Sequence, residues 1–201
     1  MTICEMLPDK PISGEGPIAA AFLARGIDSF RAACRYVRQL AYGYNSDRDD
    51  LMILFKEQMG TCTTKHAVMA TLAQELDLPV SKGIGIYAMT EPLVTGTQTI
   101  LERHGLPYVP MVHCFLFHGE HLIDLTEGNR NGKNGPIESF LHTEAVAPCI
   151  SAKEEYMRYR AALANLLRTR QELRELQLRV LLKAREEGLT LLKANIGQGE
   201  D

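Results

Sequence analysis

The chain contains no tryptophan, and only 6% of its 201 residues are aromatic. No stretch approaches the roughly 20 unbroken apolar residues of a membrane-spanning helix, so no membrane partner is expected. Residues 1–16 lack the basic-then-apolar pattern of a secretory signal: Pro8, Asp9, Lys10, Pro11 and Glu15 interrupt them, and they read as an irregular leader. With 16 Gly and 9 Pro, collagen-like and low-complexity readings fall away. No internal repeat of roughly 20–50 residues is visible. The cysteines (Cys4, Cys34, Cys62, Cys114 and Cys149) are odd in number and widely spaced. That pattern predicts reduced thiols in a cytoplasmic protein, with packing, metal binding or catalysis as their roles.

What remains is ordinary globular composition, 45% apolar and 23% charged. A chain of this length buries a full core without staples. It accommodates one domain, or one domain with an appendage. The net charge of −3 is unevenly placed. Residues 158–185 hold eight Arg or Lys against two Glu, a local +6 that leaves −9 elsewhere.

Helical spacing begins behind Asp28 and Ser29, with Phe30, Ala33, Tyr36, Val37 and Leu40 on one face. A polar loop at 45–50 leads to a short helix over 51–59, stopped by Gly60. Residues 62–76 then read as a strongly amphipathic helix, with Thr61 or Thr63 as N-cap and Pro79 beyond it. Residues 80–89 predict a strand, and 97–104 a short helix. Two apolar runs around Gly119, spanning 111–126, predict a β-hairpin. One more strand is expected at 147–150. Residues 151–185 lack Gly and Pro, and Tyr156, Tyr159, Leu163, Leu166, Leu173, Val180 and Ala184 fall on a 3,4-spaced ladder. This predicts one long C-terminal helix with an apolar seam, broken by Gly188.

Three residues carry the chemistry. Cys62 sits at a helix start, where free backbone N–H groups and the helix dipole favour a thiolate, the nucleophilic form. A thiolate needs a proton donor for the leaving group, and histidine titrates in the right range. The histidine needs an orienting acceptor, commonly a carboxylate. The hairpin supplies both in His113 and Asp124, which fall roughly opposite each other if the turn centres on Gly119.

In that order, Gly60-Thr61-Cys62, the helix after it, Leu78-Pro79-Val80, His113 on one strand and Asp124-Leu125-Thr126 on the next resemble the core of the transglutaminase-like superfamily. The resemblance covers about residues 28–128. It implies an α+β, papain-like core, in which the cysteine helix packs on an antiparallel sheet. It also implies a Cys-His-Asp triad with Cys62 as nucleophile, His113 as general base and acid, and Asp124 as orienter. In that family the cysteine attacks an amide or related acyl group, and water or an amine takes the acyl unit. Three positions depart from the family pattern: His66 replaces a usual alanine, Cys114-Phe115 replaces an aromatic Trp, and Leu125 replaces proline. The Cys62 N–H serves as one oxyanion donor, with Tyr44 or Asn45 as candidates for the second.

The resulting expectation is a transglutaminase-like domain over 17–150 and a helical appendage over 151–196. Its function is that of a cysteine-dependent amide or peptide hydrolase or acyl transferase, acting on a peptide or small amide without a cofactor. The alternative is an inactive scaffold of the same fold that works through its C-terminal helix. His66 lies one helical turn from Cys62, as in half of a metal site, and His118 and His121 share the hairpin tip. No compact four-ligand set emerges, so no metal is expected. The basic run reads as a solvated face, with Glu175 and Arg179 as an i,i+4 pair, and nucleic acid is not an expected partner. Its seam can pack on the domain or on a second copy, as a homodimer. The loop at 129–135 has the composition of a lid.

Overall fold

The structure, a computed structural model, describes residues 3–196. Its α-helices are α1 (Pro17–Leu23), α2 (Phe30–Gln39), α3 (Ile53–Glu57), α4 (Cys62–Glu75), α5 (Thr97–His104), α6 (Ala152–Thr169) and α7 (Leu178–Asn195). Its strands are β1 (Ser81–Met89), β2 (Val109–His118), β3 (His121–Ile123) and β4 (His142–Val146). The strands form one antiparallel sheet in the order β3-β2-β1-β4. Single turns of 3-10 helix cover Ile3–Met6 and Gln171–Leu173. None of the described helices is long and apolar enough to cross a membrane.

Local chemistry fixes many boundaries. The Ser29 hydroxyl accepts from Ala32 N at 3.3 Å to cap α2, and Ser151 caps α6 by accepting from Glu154 N at 3.2 Å. Helix α1 has Pro17 in its first turn and no cap of its own. The Glu75 carboxylate accepts from Ile18 N (3.1 Å) and Ala19 N (2.7 Å) instead. Gly105, at φ 62°, closes α5 in the left-handed conformation. Gly119, at φ 58°, opens the two-residue turn between His118 and His121.

The chain divides into two compact units. The first comprises residues 3–84, 114–129 and 144–150; the second 85–113, 130–143 and 151–196. In the first unit, α1, α2 and α4 share a core with Leu116, Ile123 and Leu125. Phe22 meets Phe55 edge-on, with ring centroids 5.0 Å apart. The expected leader belongs to this core. Leu7 and Ile12 are buried, Ile12 N donates to Asp28 O at 2.7 Å, and Phe30 N donates to Lys10 O at 2.9 Å. Cys4 and Cys34 form a disulfide, which corrects the expectation of five reduced thiols; Cys62, Cys114 and Cys149 are thiols outside any disulfide. A pair 30 residues apart in sequence leaves no spacing signature, because burial of the chain start on α2 creates it.

In the second unit, Tyr87, Met89, Val109 and Met111 share a cluster with α5, α6 and α7. The predicted single C-terminal helix is two helices. Arg170 takes an extended conformation (φ −98°, ψ 118°), and the chain turns there because Leu173 is drawn fully into the core. Tyr108 Oη donates to Glu172 beside it at 3.0 Å. Five residues of the expected seam (Tyr159, Leu163, Leu166, Leu173 and Ala184) are buried in this unit, with Tyr159 Oη donating to Pro110 O at 2.7 Å. Gly188 does not break a helix; it lies inside α7. The expected strand at 147–150 is also displaced, to β4, since Pro148 has no N–H to offer a ladder.

Gly188 is there for room. A Cβ at this position would lie 2.9 Å from Met89 Cε and 3.1 Å from Met111 Sδ. Gly188→Ala is expected to be close to neutral, since flexible methionine ends can move and alanine gains about 1 kcal/mol of helix propensity. Gly188→Leu is expected to cost about 1–3 kcal/mol through overpacking. Urea unfolding of the two variants checks the contrast.

Candidate active site

Cys62 is the first residue of α4, preceded by Thr61 in an extended conformation (φ −78°, ψ 177°). Thr61 O receives the first helical bond, from Lys65 N at 3.0 Å, and the Thr61 side chain makes no cap. Gly60 packs closely: a Cβ there would lie 2.7 Å from Leu54 Cδ1, a side-chain end that would have to shift. Its N–H donates to Ala41 O at 3.1 Å, joining the helix entry to the end of α2. Cys62 itself is 9% exposed.

The predicted amphipathic helix is buried on nearly every face, Thr64, Lys65 and His66 included. Buried polar groups ordinarily meet internal partners; Thr64 Oγ1 has none among the described residues, whereas Lys65 and His66 do. His66 finds two. Its Nδ1 lies 2.7 Å from Cys62 O, and its Nε2 accepts from Leu125 N at 2.9 Å. The second bond assigns the proton, because an Nε2 that accepts carries no hydrogen, so Nδ1 carries it and donates to Cys62 O. His66 is therefore a neutral strut between the first turn of α4 and the chain just past β3. Neither nitrogen has a lone pair left for a metal. Among the described residues no group of three or more His, Cys, Asp or Glu is arranged to hold one.

Asp124 lies at the foot of this strut. Its Oδ1 accepts from Thr126 N (2.8 Å) and Thr126 Oγ1 (2.7 Å), which fixes the carboxylate in a tight local turn. The same oxygen is 3.7 Å from His66 Nε2, beyond a hydrogen bond. Lys65 is fully buried and donates to Leu40 O, which also accepts from Asn129 Nδ2 at 2.8 Å. Burial pushes the Lys65 ammonium down to about 8, and attraction to Asp124 opposes the fall.

His113 sits on β2, in the second unit, 2% exposed, its ring edge-on to Tyr87 with centroids 6.3 Å apart. The next residue, Cys114, belongs to the first unit, and its Sγ lies 3.7 Å from Thr63 Oγ1. The hairpin register differs from expectation. Leu116 pairs Ile123 and His118 pairs His121, so the turn centres half a residue beyond Gly119 and the ladder ends before Asp124. Continued, that register sets Asp124 against Phe115 rather than His113. Both Asn45 amide hydrogens are committed, to Glu57 Oε2 and Met59 O at 2.9 Å each, which removes Asn45 as an oxyanion donor. The expected lid is fastened: Asn129 donates to Arg38 O and Leu40 O, and Asn134 to Pro92 O and Thr95 Oγ1. Sequence reasoning did not single out Lys65, and it left His66 as a surface group or half of a metal site. The one signal for them was their place between Cys62 and the apolar run that begins at Ala67.

Two outcomes follow from these partners. His66→Ala leaves the buried Leu125 N–H unpaired and removes a second bond from Cys62 O, which keeps its helical one, at about 1–3 kcal/mol of unfolding free energy. For Lys65, the unfolded chain holds its proton to 10.5 and the folded one only to about 8, so stability rises with pH between those values. Relative to Lys65→Met, the native protein is expected to gain about 1.4 kcal/mol between pH 7 and 9. Chemical unfolding across that range reads both.

Comparison with protein-family models, curated proteins and solved structures finds no match, so the functional reading rests on these residues.

Proposed function

We propose that the chain is a cysteine-dependent amide or peptide hydrolase, or an acyl transferase, with Cys62 as nucleophile, His113 as general base and acid, and Asp124 as orienter. One observation carries the reading. Cys62 opens a buried helix, and the turn bearing Asp124 is fastened to that same first turn through His66. The Thr63–Cys114 contact adds support, since each partner follows a proposed triad residue directly in the chain.

In this mechanism His113 takes the thiol proton and the Cys62 sulfur attacks the carbonyl carbon of an amide. The Cys62 backbone N–H, at the start of α4, stabilises the developing oxyanion. His113 then returns the proton to the leaving amine, giving a thioester at Cys62. Water or a second amine, deprotonated by His113, resolves the thioester. In the second unit, Tyr87, the ring against His113, also lines a pocket of about 350 Å3 with Leu93, Pro136 and Ile137, which suits a small apolar group of a peptide or amide. The scaffold alternative drew on an apolar seam open to a partner, and five seam residues are buried within the second unit.

Thiol reactivity tests the proposal. In a Cys149→Ser background, iodoacetamide modification of Cys62 is followed against pH and mapped by mass spectrometry. The rate is expected to level off below the ordinary thiol pKa of about 8.5, and His113→Ala is expected to move that inflection back up. A Cys62 that reacts only after unfolding, or a profile indifferent to His113→Ala, sinks the reading.

A further inference from the structure

The hairpin of β2 and β3 carries two side chains that the proposed reaction does not use. His118 closes β2 and His121 opens β3, on either side of the two-residue turn of Gly119 and Glu120. A turn centred on Gly119 would set His118 against Glu120; the observed register sets it against His121. Direct partners in an antiparallel pair point to the same face, with Cβ atoms about 4.5–5.5 Å apart. His118 is also held from outside the hairpin, its Nδ1 lying 3.1 Å from Pro79 O. That carbonyl belongs to a tight turn in which Val80 N donates to Leu78 O at 2.8 Å. A carbonyl only accepts, so Nδ1 carries the hydrogen and, in the neutral ring, Nε2 carries a lone pair. His118 Nε2 and both ring nitrogens of His121 meet no hydrogen-bond or ion-pair partner among the described residues, and His121 is exposed.

We propose that His118 and His121 together chelate one divalent transition-metal ion of the zinc class, through His118 Nε2 and a ring nitrogen of His121. Neutral imidazole is a ligand such ions favour, and both rings present a lone pair. Two nitrogens each about 2.0–2.1 Å from one ion stand roughly 3 Å apart, a span within reach of imidazoles on cross-strand partners. The Pro79 carbonyl supplies what a ligating histidine ordinarily has behind it. It fixes the tautomer, aims the ring and makes the other nitrogen a better donor to metal. Among the described residues no group of three His, Cys, Asp or Glu is arranged for a metal, so water or groups of a bound molecule fill the remaining positions. The site is therefore an open one, unlike the closed four-ligand sites that stabilise folds. Ions that prefer oxygen, such as Mg2+, gain nothing from two imidazoles. His118, His121 and Pro79 all lie in the first unit, and the proposal is independent of the chemistry assigned to Cys62.

Zn2+ is the probe and Mg2+ the control, each titrated by calorimetry into the full-length protein with Cys149→Ser, which removes the exposed thiol as a competing ligand. Zn2+ is expected to bind and Mg2+ is not. His118→Ala and His121→Ala are each expected to weaken Zn2+ binding about tenfold or more, because either change turns a chelate into a single ligand. Nitrogen NMR of the imidazoles supplies a second measurement on protein that keeps both rings. His118 is expected as the Nδ1–H tautomer before metal is added. Zn2+ is then expected to shift His118 Nε2 and one His121 nitrogen together, over the same range of added metal. Absence of Zn2+ binding overturns the proposal. So does a loss of affinity in only one of the two variants or in neither, a shift at one ring without the other, or a His118 proton found on Nε2.

Discussion

Burying α4 on nearly every side is the constraint from which most of the first unit follows. A helix at a protein surface sends its polar side chains to water; this one sends Lys65 and His66 into protein. Each must then meet a partner, because an unmade hydrogen bond in the interior costs more than a made one contributes. His66 meets the carbonyl of Cys62 and the N–H of Leu125. Lys65 meets the carbonyl of Leu40 and the field of Asp124. Three chain segments distant in sequence (the end of α2, the start of α4 and the turn after β3) are thereby held to one another by groups that have no alternative.

That network bears directly on what Cys62 can do. A nucleophile on a loop must be ordered when it reacts. Cys62 begins a helix whose first turn is already tied at its own carbonyl. The turn with Asp124 is stiffened twice, by Thr126 locally and by His66 from across the unit. Lys65 contributes differently: its ammonium is drawn to Asp124 through the field rather than through a hydrogen bond. For the proposed reaction, such an arrangement places the organising cost in the folding of the helix rather than in the chemical step.

Much of this was legible in the sequence, and the parts that were not share a cause. Ser29 announced α2 through capping chemistry, the 97–104 helix ended at its glycine, and the hairpin lay where two apolar runs met Gly119. Each of these depends on neighbours in the chain. The register missed because one residue decides it, and the turn took Gly119 and Glu120 as its two central positions. The C-terminal helix missed because residues 151–185 contain no breaker; what bends the chain is the burial of Leu173, a tertiary event. His66 and Gly188 are the same kind of miss. A histidine reads as surface, and a glycine reads as a stop, until the neighbours that enclose them are known.

The disulfide is the clearest case, and it changes how the first unit is understood. Loop-closure entropy for two cysteines 30 residues apart is worth about 3–4 kcal/mol, yet it is one restraint among several on the chain start. Arg31 donates to Leu7 O (2.7 Å) and Glu5 O (3.0 Å). Ile12 N donates to Asp28 O and Phe30 N to Lys10 O, and Leu7 and Ile12 are buried in the core. None of these depends on the S–S bond. Opening it therefore removes a covalent tie from the middle of α2 while the non-covalent ties persist. The effect is confined to a helix whose far end, at Leu40, holds the Lys65 ammonium. The bond is buried at both ends, Cys4 and Cys34 alike. It lies on the same helix that anchors the interior of α4.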